Sequence, residues 1–392
     1  MAVKGRSTLA REGRTKNIFV FGYDEQHEKD LRALPDAGRF RFHPLLHSGE
    51  LVYQEDFHIN ATLERARTIL KEFDGPIHGI ICHWDFPVNP MAAILAEEFG
   101  LRYPSLTSIL KCSHKYWSRV EQQNAVPEAT PRFCAIDPFD DDPASQVTLD
   151  YPFWVKPIAG YNSLLGFRID NAGDFTRAIE AAREKIGRIG DEFNTFLERI
   201  HVPTELGGVD GNYLIAEELI GGHEFAPEGY IQNGECHIHG MFDMVRAENG
   251  KSFQRYEYPS RAPRDVHKRA GAIVAKVMQQ MEFDNGCFNI EFFWDQDRDR
   301  LSIIEVNSRM SQSHSYQFEQ VDGMSNHEVA VHVALGDKPL FKHGAGPFKH
   351  AAKFLLRRYD LRDGIATRVP AAADVARLHR EQPESRVSLN VH

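Results

Sequence analysis

Two acidic strands separated by a polar turn constrain this chain more than any other feature. The apolar run Phe288-Asn289-Ile290-Glu291-Phe292-Phe293 leads into Asp295-Gln296-Asp297-Arg298-Asp299-Arg300, and then into Ile303-Ile304-Glu305-Val306-Asn307-Ser308-Arg309. Two such runs joined by a polar turn read as a β-hairpin. Side chains alternate along a strand, so Ile290 and Phe292 face away from Glu291, while Ile304 and Val306 face away from Glu305 and Asn307. Two carboxylates and an amide oxygen then share one side of the ribbon, with Arg309 just beyond. An ordinary ribbon needs no acidic residue at either strand centre. Hard oxygen donors of this kind suit Mg²⁺, which takes a few protein carboxylates and completes its octahedron with water and phosphate oxygens.

The remaining composition narrows the class. A chain of 392 residues is long for one domain, and two or three modules are expected. Its 42% hydrophobic and 26% charged residues are ordinary for a chain that buries a core. A formal net charge of -10 opposes general nucleic-acid binding, which rests on clustered Lys and Arg. Five widely spaced cysteines, with no C-x-x-C, read as free thiols in a reducing compartment. No apolar run approaches the ~18 residues of a membrane span. The basic start, Met1 to Lys16, lacks the apolar segment of a signal peptide and reads as a loose tail. A cytoplasmic enzyme is expected, with neither nucleic acid nor membrane as partner.

Along the chain, residues 17–22 and 77–82 read as short buried strands. Helical stretches follow them, to about Leu34 and over about Asn89–Phe99. Strands alternating with helices predict a small parallel α/β domain over 17–110. The three consecutive aspartates within 137–143 mark a surface loop, and Phe153-Trp154-Val155-Lys156 is a strand running into a Gly/Asn/Ser turn. Helical periodicity covers about Asp174–Arg188 and Arg264–Met281. Residues 212–224 read as a strand broken by the pair Gly221-Gly222, and Asn233-Gly234 joins the strands 225–232 and 235–245 as a hairpin turn.

Lys156 at a strand end, before a turn carrying Gly160 and Ser163, can offer a cation and backbone N–H groups to phosphates. Taken alone it reads more plainly as a surface hairpin, and no Walker motif is present. The segment Glu217–Glu224 can offer backbone groups to an adenine edge and a carboxylate to a ribose; an edge strand with solvated glutamates is the simpler reading of it in isolation. The 19 histidines show no zinc-ligand spacing, and no G-x-S-x-G elbow supports a serine hydrolase.

The order of these features is more specific than any one of them. A lysine turn, an acidic strand segment, then Glu and Glu-x-Asn on a hairpin resemble the ATP-grasp superfamily, the fold of biotin carboxylase and D-alanine–D-alanine ligase. The resemblance covers roughly 17–390. It implies an α/β (α+β) architecture: a flexible tail at 1–16, a pre-ATP-grasp domain at 17–110, an ATP-grasp domain at 111–340 with its lid at about 118–215, and a C-terminal subdomain at 341–392. It also implies roles. Lys115 and Lys156 match the two phosphate lysines, and Ser163 the lid-loop residue that closes over the γ-phosphate. Glu217 to Ile220 match the adenine hinge, with backbone atoms near Glu218 and Ile220, and Glu224 matches the ribose carboxylate. Glu291, Glu305 and Asn307 match the Mg²⁺ ligands, and Arg309 the arginine steadying an acyl-phosphate. The sequence departs from the family where Asn162 replaces a common glycine, where Gly166 comes one position late, and where His114 replaces a common aspartate.

The implied activity is an ATP-dependent ligase joining a carboxylic acid to an amine, with an amino acid among the candidate amines. ATP and two Mg²⁺ ions (Mn²⁺ an alternative) would be the cofactors, small carboxylates and amines the partners, with a homodimer open. Arg246, Arg261 and Arg264 lie between the clasp and the hairpin, and each is either a substrate-carboxylate contact or a surface arginine. The rival readings are bicarbonate activation resembling biotin carboxylase, and a nucleotide-binding regulator without turnover.

Overall fold

The computed structural model describes residues 15–52, 57–160, 165–250, 252–357 and 364–389. Three sheets follow one another along the chain. The first contains β1 (Lys16–Tyr23), β2 (Phe40–His47) and β3 (Gly79–Cys82), parallel and ordered β2-β1-β3. Parallel neighbours need crossovers, supplied by helices Glu25–Arg32 and Ile59–Glu72. Helix Val88–Glu98 follows β3 and ends before Gly100, which takes the left-handed conformation (φ +64°) that stops a helix.

The second sheet is antiparallel, with β4 (Phe133–Ile136), β5 (Phe153–Pro157), β6 (Phe167–Ile169) and β7 (Leu214–Glu218) ordered β4-β7-β5-β6. Helix Ala172–Lys185 lays Phe175, Ala178, Ile179 and Ala182 on its apolar face, against Phe153, Val155 and Ile169.

The third sheet holds β8 (His223–Gln232), β9 (Glu235–Arg246), β10 (Phe253–Tyr258), β11 (Gly286–Asp295), β12 (Arg300–Asn307) and β13 (Ala351–Phe354), ordered β12-β11-β8-β9-β10-β13. Asn233 and Gly234, with φ of 52° and 78°, make the expected tight turn between β8 and β9. Helix Arg264–Gln280 covers one face, burying Val266, Ala270 and Val274 in the core that contains Phe225, Ile290, Phe292 and Ile303. On the opposite face, Phe318 of helix Ser315–Asp322 packs on Phe242 and Tyr258. Toward β8, β11 and β12 that second face carries Glu224, Glu291 and Glu305.

One expectation about the hairpin needs correcting. Glu291 opposes Glu305, but Phe292 opposes Ile303, so Ile304 is an extra residue in a β-bulge. Ile303, not Ile304, therefore joins Val306 in the core. The bulge leaves both glutamates facing each other. Among the described residues no helix is long and apolar enough to cross a membrane.

Candidate functional site

The hairpin lays the floor. Glu291 and Glu305 are direct cross-strand neighbours, and Asn307 Nδ2 donates to Glu291 Oε1 at 3.3 Å. Desolvation first, and then the charges of Glu305 and Glu224, push the Glu291 carboxyl up to about 8. Burial acts on Glu305 in the same sense, but Lys115 and Lys156 outweigh it and hold its carboxyl below the usual value. The crowding of negative charge that raises Glu291 is what a divalent cation relieves, and the donor set of two carboxylates and one amide oxygen fits Mg²⁺.

Two lysines reach the floor from the helix and sheet above it. Lys115 begins helix Lys115–Ala125; its Nζ donates to Gly160 O at 2.7 Å and lies 3.2 Å from Glu305 Oε1. Lys156, in β5, pairs with Glu217 Oε2 of β7 at 2.8 Å. The other oxygen of Glu217 accepts from Arg119 Nε at 2.7 Å. Burial would raise the Glu217 carboxyl, but Arg119 and Lys156 bring it down to about 2. Arg119 also donates to Ile303 O at 2.9 Å and Ile304 O at 2.7 Å, the carbonyls of the bulge. It thereby ties β12 to β7, a function no local signal in the sequence marks.

His114 caps the helix that Lys115 begins. Its Nδ1 accepts from Trp117 N at 3.0 Å, capping the helix, while Nε2 lies 3.2 Å from Val209 O. Burial lowers its pKa to about 4, so the ring is neutral and offers one acceptor and one donor.

Glu224 is buried, and Arg246 holds it from both sides, Nε to Oε2 at 2.5 Å and a terminal nitrogen to Oε1 at 2.7 Å. Burial raises the Glu224 carboxyl against the pull of that arginine. The Arg246 guanidinium also lies over the Phe253 ring, 4.5 Å from its centroid. The β7 ladder ends at Glu218, and Ile220 lies in the link to β8, partly exposed. Glu218 Oε2 accepts from Arg132 N at 3.2 Å. Ser163 and Asn162 lie outside the described residues.

The structure does not bring Arg261 to this group. Its Nε lies 3.4 Å from Asp243 Oδ2 and a terminal nitrogen 2.7 Å from Glu257 Oε2. Asp243 opposes Phe225, on the helix-covered face, whereas Glu224 next to Phe225 points to the other. Closeness in sequence to the clasp did not survive that alternation. Arg264 starts the helix on the same covered face.

Arg309 points from the floor into the first domain. Its Nε and a terminal nitrogen donate to Asp85 Oδ2 at 2.9 and 2.6 Å, and the latter lies 3.4 Å from Asn307 Oδ1. Two further residues, Asn89 and Gln312, join the same pair of loops. Asn89 Nδ2 donates to Ser308 O and Oγ, both at 2.9 Å, and Gln312 Nε2 donates to His83 O at 2.5 Å. Residues 83–89 and 308–312 are thus fastened at three points. The sequence reading missed Asp85 and Asn89, although a polar residue just past the C-terminal end of a parallel strand is where open α/β sheets place ligand contacts.

With this geometry in hand, comparison with known proteins is informative. Residues 149–316 match the ATP-grasp domain family. No curated protein matches the chain in sequence. Among solved structures, an L-amino acid ligase from Bacillus licheniformis superposes with a TM-score of 0.68 at 20% identity, over 88% of this chain and 82% of that one. An ADP complex of N5-carboxyaminoimidazole synthetase from Staphylococcus aureus gives 0.65 at 15%, over 94% and 86%. A biotin carboxylase from Campylobacter jejuni gives 0.63 at 16%, over 86% and 74%. The strand order, the acidic hairpin and the matched region agree: residues 149–316 match the ATP-grasp domain, and the chain shares the fold of these solved structures.

Proposed function

We propose that the protein is an ATP-dependent ligase that activates a carboxylate as its acyl-phosphate and passes the acyl group to an amine. The observation that carries this reading is the opposed pair Glu291/Glu305, with Asn307 beside it, facing Lys115 and flanked by Arg309. The substrate carboxylate oxygen attacks the γ-phosphorus and ADP leaves; the amine nitrogen then attacks the acyl carbon, loses a proton, and phosphate leaves. A carboxylate is a poor electrophile, and this exchange makes it a good one.

The residues divide the work. Lys115, neutralised here by Glu305, and Lys156, paired with Glu217, would turn further ammonium N–H groups to phosphate oxygens. Ser163 would close over the γ-phosphate, the backbone near Glu218 and Ile220 would hold adenine, and Glu217 would aim Lys156. Glu224, steadied by Arg246, would accept from ribose hydroxyls. Glu291, Glu305 and Asn307 would hold Mg²⁺, two ions in this reading, which supplies charge neutralisation to the phosphates when bound. Arg309 would steady the acyl-phosphate. The printed names of the relatives include an amino acid ligase and an ADP-bound synthetase, and both accord with this assignment. The same proposal places the enzyme in the cytoplasm, consistent with five free thiols, and leaves a homodimer open.

The test is Mg·ATP binding, followed by ADP release over a matrix of acids and amines. We expect binding that requires Mg²⁺ and is lost in Glu305→Gln, together with ADP release that needs an acid. Absence of Mg·ATP binding, or an unaffected Glu305→Gln enzyme, refutes the ligase.

A further inference from the structure

We propose that Asp85 is the seat of an ammonium group on the acid being activated, so that this acid is an amino acid rather than a simple carboxylic acid. The inference rests on the ligase reading and names its substrate class.

Both Arg309 nitrogens converge on one oxygen of Asp85, Oδ2. A carboxylate whose whole task was to hold an arginine would use both oxygens in the parallel fork that the two groups favour. Among the described residues no hydrogen bond reaches the second oxygen, Oδ1. The Asp85 side chain is 38% exposed, so Oδ1 has access to a ligand.

The position of that oxygen is built. Asp85 O accepts from Val88 N at 2.9 Å and Asn89 N at 3.1 Å at the start of the following helix. Trp84 Nε1 donates to Gly22 O at 2.7 Å, and Tyr103 OH donates to Asn89 Oδ1 at 2.6 Å. The Asn89–Ser308 and Gln312–His83 bonds then fix this loop against the strand end carrying Arg309. The free carboxylate oxygen therefore sits beside the arginine assigned to the acyl-phosphate. In an α-amino acid the ammonium nitrogen and the carboxyl carbon are two bonds apart. A carboxyl group held at Arg309 puts its ammonium within reach of Asp85. Glu228, whose charge also acts on Arg309, is closed: His314, Asn326 and Ser311 N occupy both its oxygens.

The test uses the full chain with Mg·ATP and hydroxylamine, which traps acyl-phosphates as hydroxamates and removes the natural amine from the measurement. Amino acids are compared with their des-amino counterparts, alanine with propionate being one pair. We expect the wild type to favour the amino acids in kcat/KM, and Asp85→Asn to lower that value about 10- to 100-fold for them, the range of a hydrogen bond to a charged group. The loss should fall on KM and be at least tenfold greater for the amino acids than for the des-amino acids. Wild-type enzyme using both series equally overturns the inference. So does an Asp85→Asn enzyme that keeps the preference, or one in which kcat falls alike for both series, the signature of a displaced Arg309. Wild-type enzyme that activates neither series overturns the ligase reading, and this inference with it.

Discussion

Replacing Arg119 by methionine should loosen the junction between β7 and β12 more than any other single change in the cleft. Methionine keeps most of the volume and removes the three contacts that join the strands, Glu217 at 2.7 Å and the carbonyls of Ile303 and Ile304 at 2.9 and 2.7 Å, together with a bond to Gln122 Oε1 within the helix. The fall of Glu217 from 4.5 to about 2 corresponds to roughly 3 kcal/mol favouring its ionised form, at about 1.4 kcal/mol per unit. Two cations share that effect, so Arg119 accounts for about half. Each freed carbonyl adds about 1 kcal/mol. The total, about 3–4 kcal/mol, agrees with the cost of breaking a buried ion pair from one side. The assay is amide hydrogen exchange on peptides spanning 214–218 and 300–307, with a peptide from β1 as control. Protection at β7 and β12 should drop roughly 100- to 700-fold, at about 1.4 kcal/mol per tenfold, while β1 is unchanged. The sign with pH follows from a depressed carboxylate: the contribution is present above 4.5 and is lost as pH falls toward about 2. A change of under threefold at both strands would refute the reasoning.

Burial and Glu305 push Glu291 up to about 8, so the folded protein keeps a proton that the unfolded chain releases near 4.5; ligand-free stability should decline as pH rises across that window, and Glu291→Gln should flatten the slope of melting temperature against pH. Arg246→Met strands the buried Glu224 carboxylate and should cost about 3–5 kcal/mol in chemical denaturation, most of it recovered by adding Glu224→Gln. His114→Asp should preserve the cap on helix Lys115–Ala125, whereas His114→Ala should cost about 1 kcal/mol in the same assay; equal losses would remove the capping argument.

How far the sequence could be read depended on whether a residue's meaning was local. Glu291, Glu305 and Asn307 were legible because acidic residues at strand centres contradict a bland hairpin. Strand β2 was not, because Pro44 interrupts it; the sheet tolerates proline there since β2 pairs on one side only, with β1. Helix Ile59–Glu72 was readable in principle from Ile59, Leu63, Ala66 and Leu70 on one face. Arg119 looks like one more polar residue on a polar helix, and its partners lie 98, 184 and 185 positions away. Asp85 meets Arg309 across 224 positions. The bulge at Ile304 has no glycine or proline to announce it and is completed by Arg119. Arg261 erred in the opposite direction, placed near the site by sequence distance and turned away by strand alternation.

In both unreadable contacts an arginine ties β12, or the residues just beyond it, to another element, and this bears on how the cleft is organised. A buried ion pair contributes little net stability, because desolvation offsets its attraction. Its placement is therefore better explained by what it aims. Arg119 fixes Glu217, whose other oxygen holds Lys156, so one carboxylate relates a phosphate lysine to the floor. Arg309 fixes Asp85, so the opposite end of the same strand relates the first domain to the floor. Strand β12 thus becomes the common reference for the nucleotide side and the acid side, which is the arrangement that preorganised electrostatic stabilisation requires. The two clamps share no partner. Disturbing Arg119 should raise the KM for ATP and leave selection among acids intact, whereas disturbing Asp85 should alter selection among acids and leave Mg·ATP affinity intact. Variants in which both quantities move together would show that the strand does not separate the two sides, and that the cleft responds as one unit.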